Sequence, residues 1–279
     1  MTTQSPLRLS LCNEVLRHLP FAEQCAYAAA LGYEGLEIAP FTLADDPTAL
    51  TAAEVQAVRR SLADNGLAAT GLHWLLLAPK GLSITDPDPD VRAATRRVIE
   101  RLCALAGELD CRVLVHGSPH QRRTGGDGGA VERAVEMLAI AGEAARAAGV
   151  TYCLEPLAPK ENDFVHTVAE AAEIVRRIDN PHLRTMIDCS AASQTEAQPV
   201  GEVIREWMPS GLVRHIQLND TNRRGPGEGD LPFTPILQAL IDTGYDGDIA
   251  FEPFVYKPDG GACAARSIGY VKGILEAIR

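Results

Sequence analysis

The chain has 279 residues, 46% of them hydrophobic, and a formal charge of −11. That size and composition suit one large domain with a substantial core, and the acidic balance argues against a general binder of nucleic acid or anionic membranes. No apolar run approaches the ~20 residues that span a bilayer, residues 1–6 are short and polar with no signal-peptide core, and the seven scattered Cys form no CxxC pair, as expected of reduced thiols in a cytoplasmic protein.

In chain order, strand-like residues 7–12 (LRLSLC) lead to a helical pattern over 21–31 that stops at LGYEG before the strand 35–38. A helix over 52–65, with Thr51 as its cap, ends at Asn65-Gly66 and precedes a strand over 69–75. The long pattern 90–109, capped by Asp90, feeds the strand 112–116, and the pattern 129–148 stops at Gly149 before the strand 151–155. Thr167 opens a helix to 178, followed by a strand over 184–188 and a helix over 199–208. The strand 214–218, a helix over 235–243, the strand 248–252 and a helix over 262–278 complete the chain. Eight strands alternating with helices predict an α/β fold, a (β/α)8 TIM barrel spanning residues 1–279 as one domain. An open doubly wound sheet is disfavoured because the first strand–helix turn lacks a Gly-rich phosphate fingerprint.

The strand ends carry the chemistry. Four successive strands finish in Glu155, Asp188, Gln217 and Glu252, from the stretches TYCLE, RTMID, RHIQ and DIAFE. Strand ends at this face of a barrel are where catalytic residues sit. Unpaired carboxylates there would repel one another and resist burial. A divalent cation resolves the conflict, and an all-oxygen set suits Mn2+, with Mg2+ or Co2+ also tolerated. His215 shares a strand face with Gln217 and is the alternative ligand, although a satisfied core histidine is the simpler reading.

The segments CLEP (153–156), MIDCS (186–190), HIQLNDTNRRGPGEGD (215–230) and GYDGDIAFEPF (244–254) resemble those of the xylose-isomerase-like sugar isomerases and epimerases, above all the D-tagatose 3-epimerase and hydroxypyruvate isomerase branches. The resemblance covers essentially the whole chain. It implies Glu155, Asp188, Gln217 and Glu252 as ligands of a divalent metal, Gln217 standing where the hydroxypyruvate branch has Gln and the ketose epimerases His. It casts Glu155 and Glu252 as an acid/base pair working through an enediolate, and Glu161 and Arg223 as substrate contacts. His73 and His116 are expected to line the pocket, with Trp74 as a wall. Ala191 replaces a substrate-binding His of the ketose epimerases, so the substrate is expected to differ from an ordinary ketohexose. His is also missing where the endonuclease IV family needs it, which argues against a trinuclear zinc phosphodiesterase.

The expected activity is therefore isomerisation or epimerisation of a sugar, keto-sugar or short hydroxy-oxo acid. A metal-dependent lyase or dehydratase and a non-catalytic carbohydrate-binding barrel stand as alternatives. The resemblance further implies a homo-oligomer, a dimer or tetramer; Phe254 and Tyr256 would serve a subunit contact or shield the site.

Overall fold

The computed structural model describes residues 7–278, so the opening residues 1–6 lie outside it. Eight parallel strands close into a barrel in sequential order: β1 (Arg8–Cys12), β2 (Gly35–Ile38), β3 (Ala68–Leu72), β4 (Val113–His116), β5 (Thr151–Leu154), β6 (Leu183–Asp188), β7 (Val213–Leu218) and β8 (Asp248–Phe251). The expected TIM barrel is the observed fold. The helices are α1 (Phe21–Leu31), α2 (Ala52–Asp64), α3 (Pro89–Glu108), α4 (Ala130–Ala148), α5 (Val168–Ile178), α6 (Cys189–Thr195), α7 (Val200–Trp207), α8 (Phe233–Asp242) and α9 (Gly260–Ala277). Register pairs such as Ser10↔Ala250 between β1 and β8 seal the sheet, leaving no edge within it.

Local chemistry sets the boundaries. Gly32 and Gly149 end α1 and α4 in the left-handed conformation, at φ 86° and 71°. Thr51 and Glu54 form a reciprocal capping box on α2, and the Thr167 side chain accepts from Glu170 N. The cap of α3 is Asp88 rather than Asp90: Pro89 occupies the first helical position, and Asp88 accepts from Asp90 N at 2.8 Å. β3 stops at Leu72, short of the expected 75, because Trp74 turns the chain with φ 52°. The sequence pattern also missed α6, which begins at the residue after β6.

Alternation divides each strand between two environments. Leu114, Tyr152, Leu154 and Ile187 join the main core under the helices, whereas Val113, Val115, Cys153 and Met186 form a separate apolar cluster inside the barrel. Across the interior the filling is polar. Buried Glu37 accepts from Gln217 Nε2 at 2.6 Å and lies 2.6 Å from His215 Nε2. Burial alone would raise the Glu37 pKa, but His215 outweighs it and holds this carboxyl below its usual range. His215 is thus a core histidine with an acidic partner, in agreement with the simpler reading.

Candidate metal and substrate site

At the C-terminal mouth of the barrel lies a cavity of about 530 Å³. Glu155, immediately after β5, Asp188, ending β6, and Glu252, immediately after β8, all reach into it. An oxygen from each lies within 4.8 Å of the other two, and all three residues are buried.

Each carboxylate is held differently. Asp188 caps α6, its Oδ1 accepting from Ala191 N at 2.7 Å, while Oδ2 accepts from Asn219 Nδ2 at 2.6 Å. Asn219 also donates to the Glu252 carbonyl and accepts from Ser190 N, tying β6, β7 and β8 together. Glu252 Oε1 meets His73 Nδ1 at 3.0 Å, and the other ring nitrogen meets Glu14 Oε2 at 3.0 Å. The buried Glu252 Oε2 has no hydrogen-bond partner. Glu155 fits against Gly117, where a Cβ would stand 1.7 Å from Glu155 Oε2. No positive φ demands glycine at Gly117; contact alone excludes a side chain there.

That contact has a test. Gly117→Ala is expected to push the Glu155 carboxylate aside and lower kcat/KM about 100-fold, the scale of a misplacement near 1 Å. Steady-state kinetics beside a thermal melt checks this; unchanged kinetics would mean Glu155 can work from another position.

The electrostatics reflect crowding. Burial, then repulsion from Glu252 and Asp188, raises the Glu155 pKa well above the carboxylate range. Burial lifts Glu252 to about 8, opposed by His73 and reinforced by Asp188 and Glu14. Burial lifts Asp188 to about 6, opposed by the Ala191 amide and Asn219. For His73, burial disfavours the charged ring, but Cys12 and Glu14 outweigh it and raise its pKa.

Gln217 is the register partner of Asp188 on the neighbouring strand. Its amide nitrogen is spent on Glu37, and its buried Oε1 has no partner. Glu161 and Arg223 line the cavity 4.0 Å apart, and Trp74 and Phe254 form an edge-on aromatic wall at 6.1 Å between ring centres. Phe254 lines the site, while Tyr256 packs partly buried on the core.

His73 reaches the cavity, but both its nitrogens are committed to carboxylates. The expectation for His116 is corrected: it is fully buried away from the cavity, its Nδ1 2.8 Å from the Tyr152 hydroxyl. Alternation in VLVHG turns His116 toward the helices and Gly117 inward. Burial, then Arg122, lowers the His116 pKa to about 3, so the ring is neutral. Sequence reasoning missed Glu14, Glu37, Asn219 and Gly117. His120 is exposed and lines the cavity rim.

The loop RRGPGEGD is organised from below. Asp220, wholly buried, accepts from Thr221 N and Gly229 N at 2.8 Å and from Leu231 N at 3.2 Å. A Cβ on Gly229 would come within 2.3 Å of Asp220 Oδ1. The frame holds Arg223 at φ 64°, a costly conformation for a long side chain, and places its guanidinium 4.6 Å above the Phe254 ring.

Comparison with known proteins identifies the scaffold. The model of the xylose isomerase-like TIM barrel family matches residues 25–273. The chain belongs to that family. A D-psicose 3-epimerase of Ruminiclostridium cellulolyticum is 29% identical over 236 residues, which cover 81% of this chain and 76% of the relative. A Mus musculus protein provisionally named hydroxypyruvate isomerase is 30% identical over 270 residues, covering 92% and 91%. The crystal structure of a D-psicose 3-epimerase in the presence of D-fructose superposes with a TM-score of 0.83 at 22% identity, covering 96% of this chain and 99% of the other; that likeness speaks for the fold. Within a family of sugar epimerases and isomerases, the chain is an enzyme of the isomerase class. Among the described residues no helix is long and apolar enough to cross a membrane.

Proposed function

We propose that this enzyme epimerises or isomerises a sugar-like or hydroxy-oxo substrate by moving a proton at the carbon beside its carbonyl, with a divalent cation as cofactor. The observation that carries the proposal is the buried triad of Glu155, Asp188 and Glu252, with oxygens within 4.8 Å of one another. Three such groups without a counter-charge oppose folding, and the orphaned Gln217 Oε1 and Glu252 Oε2 supply oxygens with nothing to bind. These residues fit a hard or borderline cation. Glu155, Asp188, Gln217 and Glu252 would hold it, and the all-oxygen set suits Mn2+, with Mg2+ or Co2+ as further candidates.

When bound, the cation supplies positive charge that stabilises negative charge developing on the substrate oxygens. The protein does the rest. One of Glu155 and Glu252 takes the proton from the carbon beside the carbonyl, and the other returns a proton. Return to the opposite face of the same carbon inverts it; return to the neighbouring carbon exchanges aldehyde and ketone. His73 fixes Glu252 Oε1 and leaves Oε2 without a hydrogen-bond partner. Glu161 and Arg223 orient substrate hydroxyl and carbonyl oxygens, and Trp74 and Phe254 keep bulk water away.

Metal stripping followed by proton exchange in D2O tests this. The stripped protein is expected to leave ketoses, oxo-sugars and hydroxypyruvate unlabelled. Reloading with Mn2+ restores deuterium incorporation beside the carbonyl of one class, and product structure then separates epimerisation from isomerisation and from β-elimination. Because burial and repulsion raise the pKa values of Glu155 and Glu252, the metal-free site retains protons near neutral pH, and loading releases them. Affinity therefore rises with pH until those carboxyls are ionised. A protein that binds no divalent metal at pH 8 would overturn the cofactor assignment.

A further inference from the structure

The outer wall of the cavity is cationic in a chain of charge −11. Arg123 and Lys160 come from the loops after β4 and β5, and Arg223 from the loop after β7. Among the described residues Arg123 and Lys160 form no ion pair with a carboxylate. Arg123 Nη2 donates to the Glu161 backbone carbonyl at 2.9 Å, and Lys160 Nζ donates to the Gln194 amide oxygen at 2.5 Å. Arg223 alone of the three has an acidic partner, Glu161 at 4.0 Å. Arg101, Arg146, Arg177 and Arg205, remote from the cavity, each pair with a carboxylate at 2.5 to 3.0 Å. Arg123 and Lys160 are not held in this way.

A fourth cation stands behind the wall. Arg122 is wholly buried; its Nη1 donates to the His116 carbonyl at 3.2 Å, and its Nε and Nη2 have no partner. Among the described residues no carboxylate forms an ion pair with it. A buried, unpaired guanidinium is expensive unless its field is used.

The charge count points the same way. With every carboxyl ionised and His73 set against its partner Glu14, the cavity holds Glu155, Glu161, Asp188 and Glu252 against Arg123, Lys160 and Arg223, one negative charge in excess. A divalent cation reverses that to one positive charge in excess, before Arg122 is added. The acids gather at the strand ends and the uncompensated cations stand on the loops above. A neutral sugar has no use for this field. A cavity of 530 Å³ is also within the range that encloses whole small-molecule ligands, well beyond what a three-carbon acid fills.

Building on the metal-dependent proton transfer proposed above, we infer that the substrate is an anionic sugar derivative, an oxo-sugar acid or a sugar phosphate. Its carbonyl end lies over Glu155, Asp188 and Glu252, and its terminal carboxylate or phosphate rests against Arg123 and Lys160. Arginine forks and a lysine ammonium suit both anions.

Calorimetry with the Mn2+-loaded protein and ligands that cannot enolise tests the inference apart from turnover. D-sorbitol is the neutral probe; D-gluconate and D-sorbitol 6-phosphate are the anionic ones. At least one anionic probe is expected to bind about 10- to 100-fold more tightly than sorbitol, the worth of a charge-assisted hydrogen bond, with an advantage that shrinks as NaCl rises. The tighter of the two distinguishes carboxylate from phosphate. Arg123→Gln and Lys160→Gln are each expected to reduce the anionic advantage, and the double variant to remove it. Anionic probes that bind no better than sorbitol, or an advantage indifferent to both substitutions, would overturn the inference even if neutral ketoses exchange deuterium. Preferential anion binding without exchange in any anionic oxo-sugar would support the anion site and defeat the proton-transfer reading alone.

Discussion

Glu252→Gln lowers kcat by about 100- to 10,000-fold, the usual worth of a positioned acid or base. The substitution preserves side-chain length while removing both the capacity to take and give a proton and the charge offered to a metal. Glu252 is placed for that exchange because it reaches into the cavity while His73 holds one of its oxygens 3.0 Å away. Glu155→Gln is expected to do the same from the other strand of the pair. Initial rates on the substrate found by deuterium exchange provide the readout, beside metal content by mass spectrometry. Retained metal with lost turnover identifies a proton-transfer role; lost metal identifies a ligand role. Full activity in both variants would sink the assignment of the pair.

Glu37→Ala destabilises the fold by about 3–5 kcal/mol, the cost of removing one partner from a buried ionic network. Glu37 is completely buried and is the shared partner of His215, Gln217 and, more distantly, the Cys12 thiol at 3.8 Å. Its loss leaves the Gln217 amide and the His215 ring buried without their acceptor. Urea denaturation should show a lower midpoint at unchanged m-value. A loss below about 0.5 kcal/mol, the scale of an ordinary surface substitution, would mean that the interior rearranges freely around the gap.

The barrel was legible because each of its strands alternates or follows a clear helix stop, and a closed ring leaves such segments little choice of partner. The carboxylate triad was legible because Glu155, Asp188 and Glu252 each stand where an apolar run ends. The supporting residues were harder to see. Glu37 is a single acid within GLEI, which a sequence cannot distinguish from an exposed strand position. Glu14 lies in a short turn after β1, and α6 is a seven-residue stretch without an apolar stripe. His116 went astray although the alternation that turns it outward was present in its own strand. Arg123 and Lys160 have the sequence context of any solvated loop, and only the three-dimensional arrangement brings them to one rim.

The interior of the barrel is filled by two chemistries, and this has a consequence for how such an enzyme diversifies. On the β4–β6 side, Val113, Val115, Cys153 and Met186 make an apolar packing whose members can be exchanged for others of similar volume at modest cost. On the opposite side Glu37 is tied to Gln217 and His215, and His73 to Glu252 and Glu14, so one substitution strands a partner. Change in the packing of the barrel interior is thus tolerated more readily in one half than in the other. The other half acts as an anchor that keeps Glu252 in place while its surroundings drift.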